Sequence, residues 1–111
     1  MKISAYPSIA VVAILLSACS ESPEQVALEQ GKAIWEGTCA VCHAQGLAGS
    51  PPIGNKKMWA KRIEKGLPVL FEHAKNGFSG ETGLMPPRGG NEDLTDHQVE
   101  LAVKYMVSQS Q

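Results

Sequence analysis

Past residue 20 the apolar positions of this chain recur at helical spacing in several stretches, and nowhere do they alternate with period two for long enough to argue a strand. Ala27, Leu28, Gly31, Ile34, Trp35 and Thr38 line one face of a predicted helix over residues 25–42. Gly31 inside that helix costs about 1 kcal/mol against alanine, and close approach of another helix is the reason expected for it. The last helix has the clearest start. Thr95 is a good N-cap, Gln98 three residues on completes a capping box, and Leu94 can staple to Val99. Behind them Val99, Ala102, Val103 and Met106 form an apolar stripe, with Leu101 and Tyr105 beside it. This helix is expected to cross the first at Gly31, with Trp35 and Tyr105 near the crossing.

Two shorter helices are predicted between them. Asn55 can cap one that runs through Lys65 and stops at Gly66, with Met58, Trp59, Arg62 and Ile63 on one side. Pro68 suits the first position of the next, which runs through Lys75 and closes on Asn76 and Gly77 in the left-handed cap position. The pattern predicts an all-α domain of about four short helices. Two long loops remain, Gly46 to Gly54 and Phe78 to Asn91, both rich in glycine and proline. Loops of that length in a small domain usually serve a site.

The first 18 residues stand outside this pattern. Lys2 supplies a positive start, Ile9 to Leu16 is an unbroken apolar run, and Ser17, Ala18 and Cys19 follow. The run is short of the about 20 apolar residues that a membrane span needs. Leu16 to Cys19 resembles the lipobox of bacterial lipoproteins, in which the leader is cut before the cysteine and the new terminus carries lipid. An ordinary signal peptide cut near Ala18 and an uncleaved anchor helix are the alternatives. The expected organisation is a signal peptide over 1–18, a lipidated Cys19 with a short tether to residue 24, and one domain over 25–111. Ser20 to Glu24 extends about 17 Å at full stretch, so the domain would ride close to the membrane. That places it on the periplasmic side, and Ser20 after the lipid cysteine leans towards the outer membrane without deciding between the two.

Without the leader, nine basic residues face eleven acidic ones, a formal charge of −2. Such a balance argues against a nucleic-acid partner. A chain this short also needs help with its core.

Candidate chemistry centres on Cys39, Ala40, Val41, Cys42 and His43. On a helix the two cysteines and the histidine project from one face within a turn. Two thiols can add to the vinyl groups of a haem while the imidazole reaches its iron, and this spacing is the c-type haem attachment signature. A redox dithiol usually sits beside a βαβ pattern, which is missing here, and a zinc site lacks a fourth ligand at finger spacing. Cys19 to lipid and Cys39 and Cys42 to haem leave no cysteine for a disulfide.

The matches extend beyond this motif. Gly31 and Trp35 precede it; Gly49, Pro51 and Gly54 follow; then come Asn55, Trp59, Arg62 and Ile63; His73, Asn76, Gly77 and Phe78; Met85, Pro86, Pro87, Arg88, Gly89 and Gly90; and Tyr105 and Met106. In this order, from about Gln30 to Val107, the chain resembles the class I cytochromes c, and within them the small bacterial cytochrome c-five group.

The resemblance implies short helices wrapped around one covalent haem c, with the N- and C-terminal helices crossing. It implies Met85 as the iron ligand opposite His43, and the two prolines after Met85 help to hold its side chain in one orientation. It further implies that the Pro51 carbonyl accepts the Nδ1 proton of His43, and that Trp59 and Arg62 pack along and pair with the haem propionates. His73 and His97 are read as exposed and not as ligands, and Met106 and Met58 as core. Two departures stand out. Asn91 to Asp96 lacks the second cysteine pair common in the group, and Glu81 to Gly83 lengthens the approach to Met85.

The function expected is that of a one-electron carrier, not an enzyme. A haem with histidine and methionine ligands has no open position, and the thioether raises its potential. Its partners would be redox proteins and, through Cys19, the membrane, and the chain is expected to be monomeric. The alternative is a sensor or peroxidase-like enzyme in which Met85 leaves the iron.

Overall fold

In the computed structural model, which describes residues 1, 2 and 20–111, helix α1 (Pro23–Ile34) crosses helix α5 (Asp96–Ser110) at Gly31. The leader expectation, Cys19 included, falls on residues 3–19 and lies outside the described residues. Gly31 is buried, and a Cβ built on it would overlap the backbone carbonyl of Leu101 and come within 3.1 Å of Tyr105 Cβ. Glycine is therefore what lets the two backbones meet. Trp35 and Tyr105 pack beside the crossing with ring centroids 5.8 Å apart.

Helix α1 begins two residues before the expected start. The Ser22 hydroxyl accepts from the Gln25 N–H and the Gln25 side chain accepts from the Ser22 N–H, a complete capping box, and Pro23 occupies the first turn. A stretch expected to be tether is thus helix cap. The helical run then widens over Trp35–Cys39, where the Ala40 N–H reaches back five residues to the Trp35 carbonyl, and returns to α geometry as α2 (Ala40–His43). Periodicity alone predicts an unbroken helix here; the wide turn inserts one residue and re-aims everything after it.

Helix α3 (Lys56–Ile63) starts where Asn55 caps the Met58 N–H and ends two residues before the expected Lys65. Helix α4 (Leu67–Asn76) carries Pro68 in its first turn. It stops at Gly77, whose φ of 82° is joined to an extended ψ of 160° and not to the left-handed helical value expected. An extended exit is needed because the chain passes directly into a hairpin, β1 (Phe78–Gly80) and β2 (Gly83–Met85), paired Phe78 to Met85, Ser79 to Leu84 and Gly80 to Gly83. Each strand has three residues, too few to show alternation in the sequence. At the end of the chain Thr95 and Gln98 form the predicted capping box of α5.

The fold is mostly helical, as the pattern required. Its core is Trp59, Leu70, Ala74, Val99, Leu101, Ala102, Met106 and Val107, contributed by α3, α4 and α5. Met106 is the core residue expected, while Met58 is only half-buried. Ser110, almost wholly buried, accepts the Gly54 N–H at 2.9 Å and so ties the loop after α2 to the end of α5.

Candidate cofactor site

His43 is where the helical run, the proline loop and α3 meet. Burial holds its imidazole below the usual histidine pKa, the Pro51 bond opposes this, and the Arg62 charge reinforces it. The ring is 8 % exposed, and its Nδ1 lies 2.9 Å from the Pro51 carbonyl. A carbonyl can only accept, so Nδ1 carries the proton and Nε2 keeps its lone pair. The Ile53 N–H closes the loop on the His43 carbonyl at 2.7 Å, which holds Pro51 in register with the ring.

Two adjoining cavities open beside this histidine, and Cys39, His43, Met85 and Gly89 line both. The inner one holds about 310 Å³ of empty space against Ala74, Leu94, Val99, Val103 and Met106. The outer one, about 410 Å³, adds Thr38, Cys42, Ala48 and Leu84. Cys39 and Cys42 are free thiols, and burial is the main cause that pushes Cys39 up to about 11, so it is a neutral thiol at pH 7. Two thiols, an imidazole lone pair and a thioether around an apolar cleft are the donor set and the walls that a haem needs. Among the described residues no group of three or more His, Cys, Asp or Glu is gathered so as to hold a metal ion.

The expected residues divide at this point. Cys39, Cys42, His43 and Met85 come together at the cavities, and Pro51 makes the hydrogen bond expected of it. Trp59 and Arg62 do not line either cavity. Trp59 is buried, donates from its indole nitrogen to the Pro52 carbonyl at 2.8 Å and sets its ring 6.1 Å from that of His43. Arg62 bonds the Met58 carbonyl and points its other nitrogen at Thr82 Oγ1, 3.5 Å away. His97 is exposed in the first turn of α5, and His73 stacks on Phe78 with centroids 3.9 Å apart.

Arg88 had no assigned role in the sequence, yet it borders the inner cavity. Its backbone sits at φ 55°, rare for a side chain with a Cβ, and its guanidinium bonds both the Leu94 carbonyl at 2.9 Å and the Asp96 carboxylate. The bond from Arg88 holds the Asp96 carboxyl below its ordinary range. Thr38 is tied to the same loop by the Asn91 side chain at 3.3 Å. These contacts fold the segment after Met85 against the attachment helix, and the glycines after Arg88 were its one sequence signal.

Residues 26–106 match the family model described as cytochrome C oxidase, cbb3-type, subunit III. The chain is 48% identical over 80 residues to cytochrome c-555 of Chlorobaculum thiosulfatiphilum, covering 72% of this chain and 93% of that one. It is 31% identical over 70 residues to cytochrome c5 of Ectopseudomonas mendocina, covering 61% and 76%. A solved structure, an electron transfer complex of nitrite reductase with cytochrome c, superposes with a TM-score of 0.66 at 33% identity, covering 74% of this chain and 95% of that one. Fold, donor set and relatives converge: this chain belongs to the cytochrome c family, among the small class I c-type cytochromes that transfer electrons through covalently bound haem c.

Proposed function

We propose that the chain is a one-electron carrier with a single haem c, held by Cys39 and Cys42 and ligated by His43 on one face and Met85 on the other. The observation that carries this reading is that His43 and Met85 border both cavities with Cys39, and the outer one with Cys42 as well. The haem supplies one-electron redox chemistry when bound. The residues supply the rest. Pro51 fixes the tautomer and orientation of His43, Met85 would hold the haem from the side opposite His43, and the apolar walls would keep water from it. For Trp59 and Arg62, the bonds to Pro52 and Met58 favour support of the His43 loop and α3 over direct pairing with the cofactor's carboxylates.

The carrier is exported and lipid-anchored through Cys19 on the periplasmic side, a reading supported by the apolar run and the lipobox-like Leu16 to Cys19. No described helix is long and apolar enough to cross a membrane. With α1 capped at Ser22, only Ser20 and Glu21 would separate the lipid from the folded domain.

Holoprotein purified from membranes tests both parts at once. A single one-electron wave in spectroelectrochemical titration, a near-red iron–sulfur band in the ferric form and a lipidated Cys19 by mass spectrometry are expected. Absence of that band with rapid carbon monoxide binding would assign the chain instead to a sensor or peroxidase in which Met85 is off the iron. An unlipidated mature terminus would remove the anchor.

The partner-facing surface follows from charge. From Thr38 to Asn55, and again from Thr82 to Pro87, no acidic, lysine or arginine residue occurs. Val41 and Leu47, each next to a lining residue, and Leu84, itself lining the outer cavity, are exposed at 73 %, 58 % and 72 %. Such a face fits a redox protein with an apolar, uncharged electron-exit patch and a small transient interface. Electron self-exchange between two copies, read from NMR line broadening in mixed redox states, should change less than about twofold between low and high salt. A steep salt dependence would mean that charged residues elsewhere make the contact.

A further inference from the structure

The segment that lengthens the approach to Met85 has a partner in the fold. Glu81 and Thr82 form the tip of the β1–β2 hairpin, and Gly83 opens the strand that ends on Met85. Across from this tip lies the tight turn Leu47–Gly49 in the loop after His43, closed by the Ser50 N–H on the Leu47 carbonyl at 3.1 Å. The two pieces interlock through a glycine from each. A Cβ on Gly49 would overlap the Thr82 carbonyl, and a Cβ on Gly83 would lie 2.5 Å from the Ala48 carbonyl oxygen. Both obstacles are backbone, which cannot rotate aside. Gly49 also sits at φ 78°, and Ala48, between Gly46 and Gly49, is itself held at φ 54°. A non-glycine residue in that region costs on the order of 1 kcal/mol and persists where its surroundings impose it.

We infer that Glu81–Gly83 is a latch: it closes on the Leu47–Gly49 turn and thereby positions Met85 across the cleft from His43. The inference rests on the reading of Met85 as an iron ligand. Its physical basis is that the turn belongs to the loop that orients His43 and the tip belongs to the hairpin that carries Met85, so the contact joins the two sides of the cleft directly. The Arg62 guanidinium, 3.5 Å from Thr82 Oγ1, borders the same tip from α3. At the other end of the hairpin Phe78, paired with Met85, is stacked on His73 and covered by Lys65 5.5 Å from its ring centroid. With its root held in this way, the tip is the free end, secured by the latch and bordered by Arg62. Gly49 and Gly83 are positioning residues. They act on Met85 and line neither cavity.

Gly49→Ala and Gly83→Ala in the ferric and ferrous holoprotein test this, with Gly37→Ala as control, since nothing lies within 4 Å of a Cβ built on Gly37. Both latch variants are expected to weaken the near-red iron–sulfur band and to raise the carbon monoxide binding rate by about tenfold, in proportion to the open fraction. The control should do neither. Native-state hydrogen exchange on the unaltered protein gives a second readout: the amides of residues 47–50 and 83–85 should open together as one unit. If Gly49→Ala does not fold, Gly83→Ala and the exchange pattern decide. Wild-type band and binding rate in the latch variants, or independent opening of the two segments, would overturn the latch. A wild-type protein without the band would overturn the Met85 reading instead.

Discussion

Met85→Ala is expected to abolish the ferric near-red band, to lower the reduction potential by on the order of 0.1 V or more, and to raise the carbon monoxide binding rate by about 100-fold. The potential falls because a thioether favours the reduced iron relative to the water that replaces it, and axial ligation spans roughly 0.8 V across haem proteins. The binding rate follows from populations. If Met85 is off the iron about 1% of the time in the unaltered protein, removal of the side chain makes the whole population competent. His43 should be unaffected, because its tautomer is set by Pro51 on the other side of the cleft. Optical titration, near-red spectroscopy and flash photolysis on one preparation check all three effects. An unchanged band would mean that a different sulfur ligates the iron. Loss of the band without faster carbon monoxide binding would mean that another group closes that face, for which His73 and His97 are poor candidates, the first stacked on Phe78 and the second exposed on α5.

Gly31→Ala is expected to destabilise the holoprotein by about 2–3 kcal/mol, although alanine is the better helix former. The added methyl would overlap the Leu101 carbonyl and press within 3.1 Å of Tyr105 Cβ, so α1 and α5 must part along their whole contact. Parting also loosens Trp35 against Tyr105. For a domain of this size that loss lowers Tm by roughly 10–20 °C. Gly37→Ala in the same helical run has open space around its Cβ and should cost nothing or add a few tenths of a kcal/mol. Urea unfolding followed by circular dichroism compares the two. Equal midpoints would show that Gly31 is a packing convenience and not the contact on which the crossing depends.

The two capping boxes show where sequence reasoning succeeds and where it stops. Thr95 to Gln98 was legible because an apolar stripe follows it. Ser22 to Gln25 has the same chemistry and makes the same paired bonds, but it stands in a polar, proline-containing stretch next to Cys19 and reads as tether. The end of α4 shows the complementary limit. Gly77 was recognisable as a stop, yet its extended ψ follows from a hairpin whose strands are too short to announce themselves.

In the site, local chemistry and the contact of His43 with Pro51 were legible, and the other supporting contacts were not. Cys39, Cys42 and His43 lie within one helical turn, and Met85 is marked by the prolines beside it, so their types and spacing carry their meaning along the chain. Trp59 was expected from the resemblance to pack along the cofactor; its indole N–H donates to the Pro52 carbonyl, a bond no pattern in the sequence states, because it depends on the path of that loop. Arg88 drew no role because its bonds to Leu94 and Asp96 depend on a turn with positive φ that an arginine seldom adopts.

By itself the sequence determined the helical class, the crossing at Gly31 and the attachment motif, because each rests on a short-range period or on residue chemistry at fixed spacing. Only the tertiary structure decided how the lengthened approach to Met85 is used. Gly49 and Gly83 carry no signal of their own until the loop after His43 and the hairpin before Met85 are brought backbone to backbone, and that proximity is set by packing between segments far apart in the chain, where no sequence period reaches.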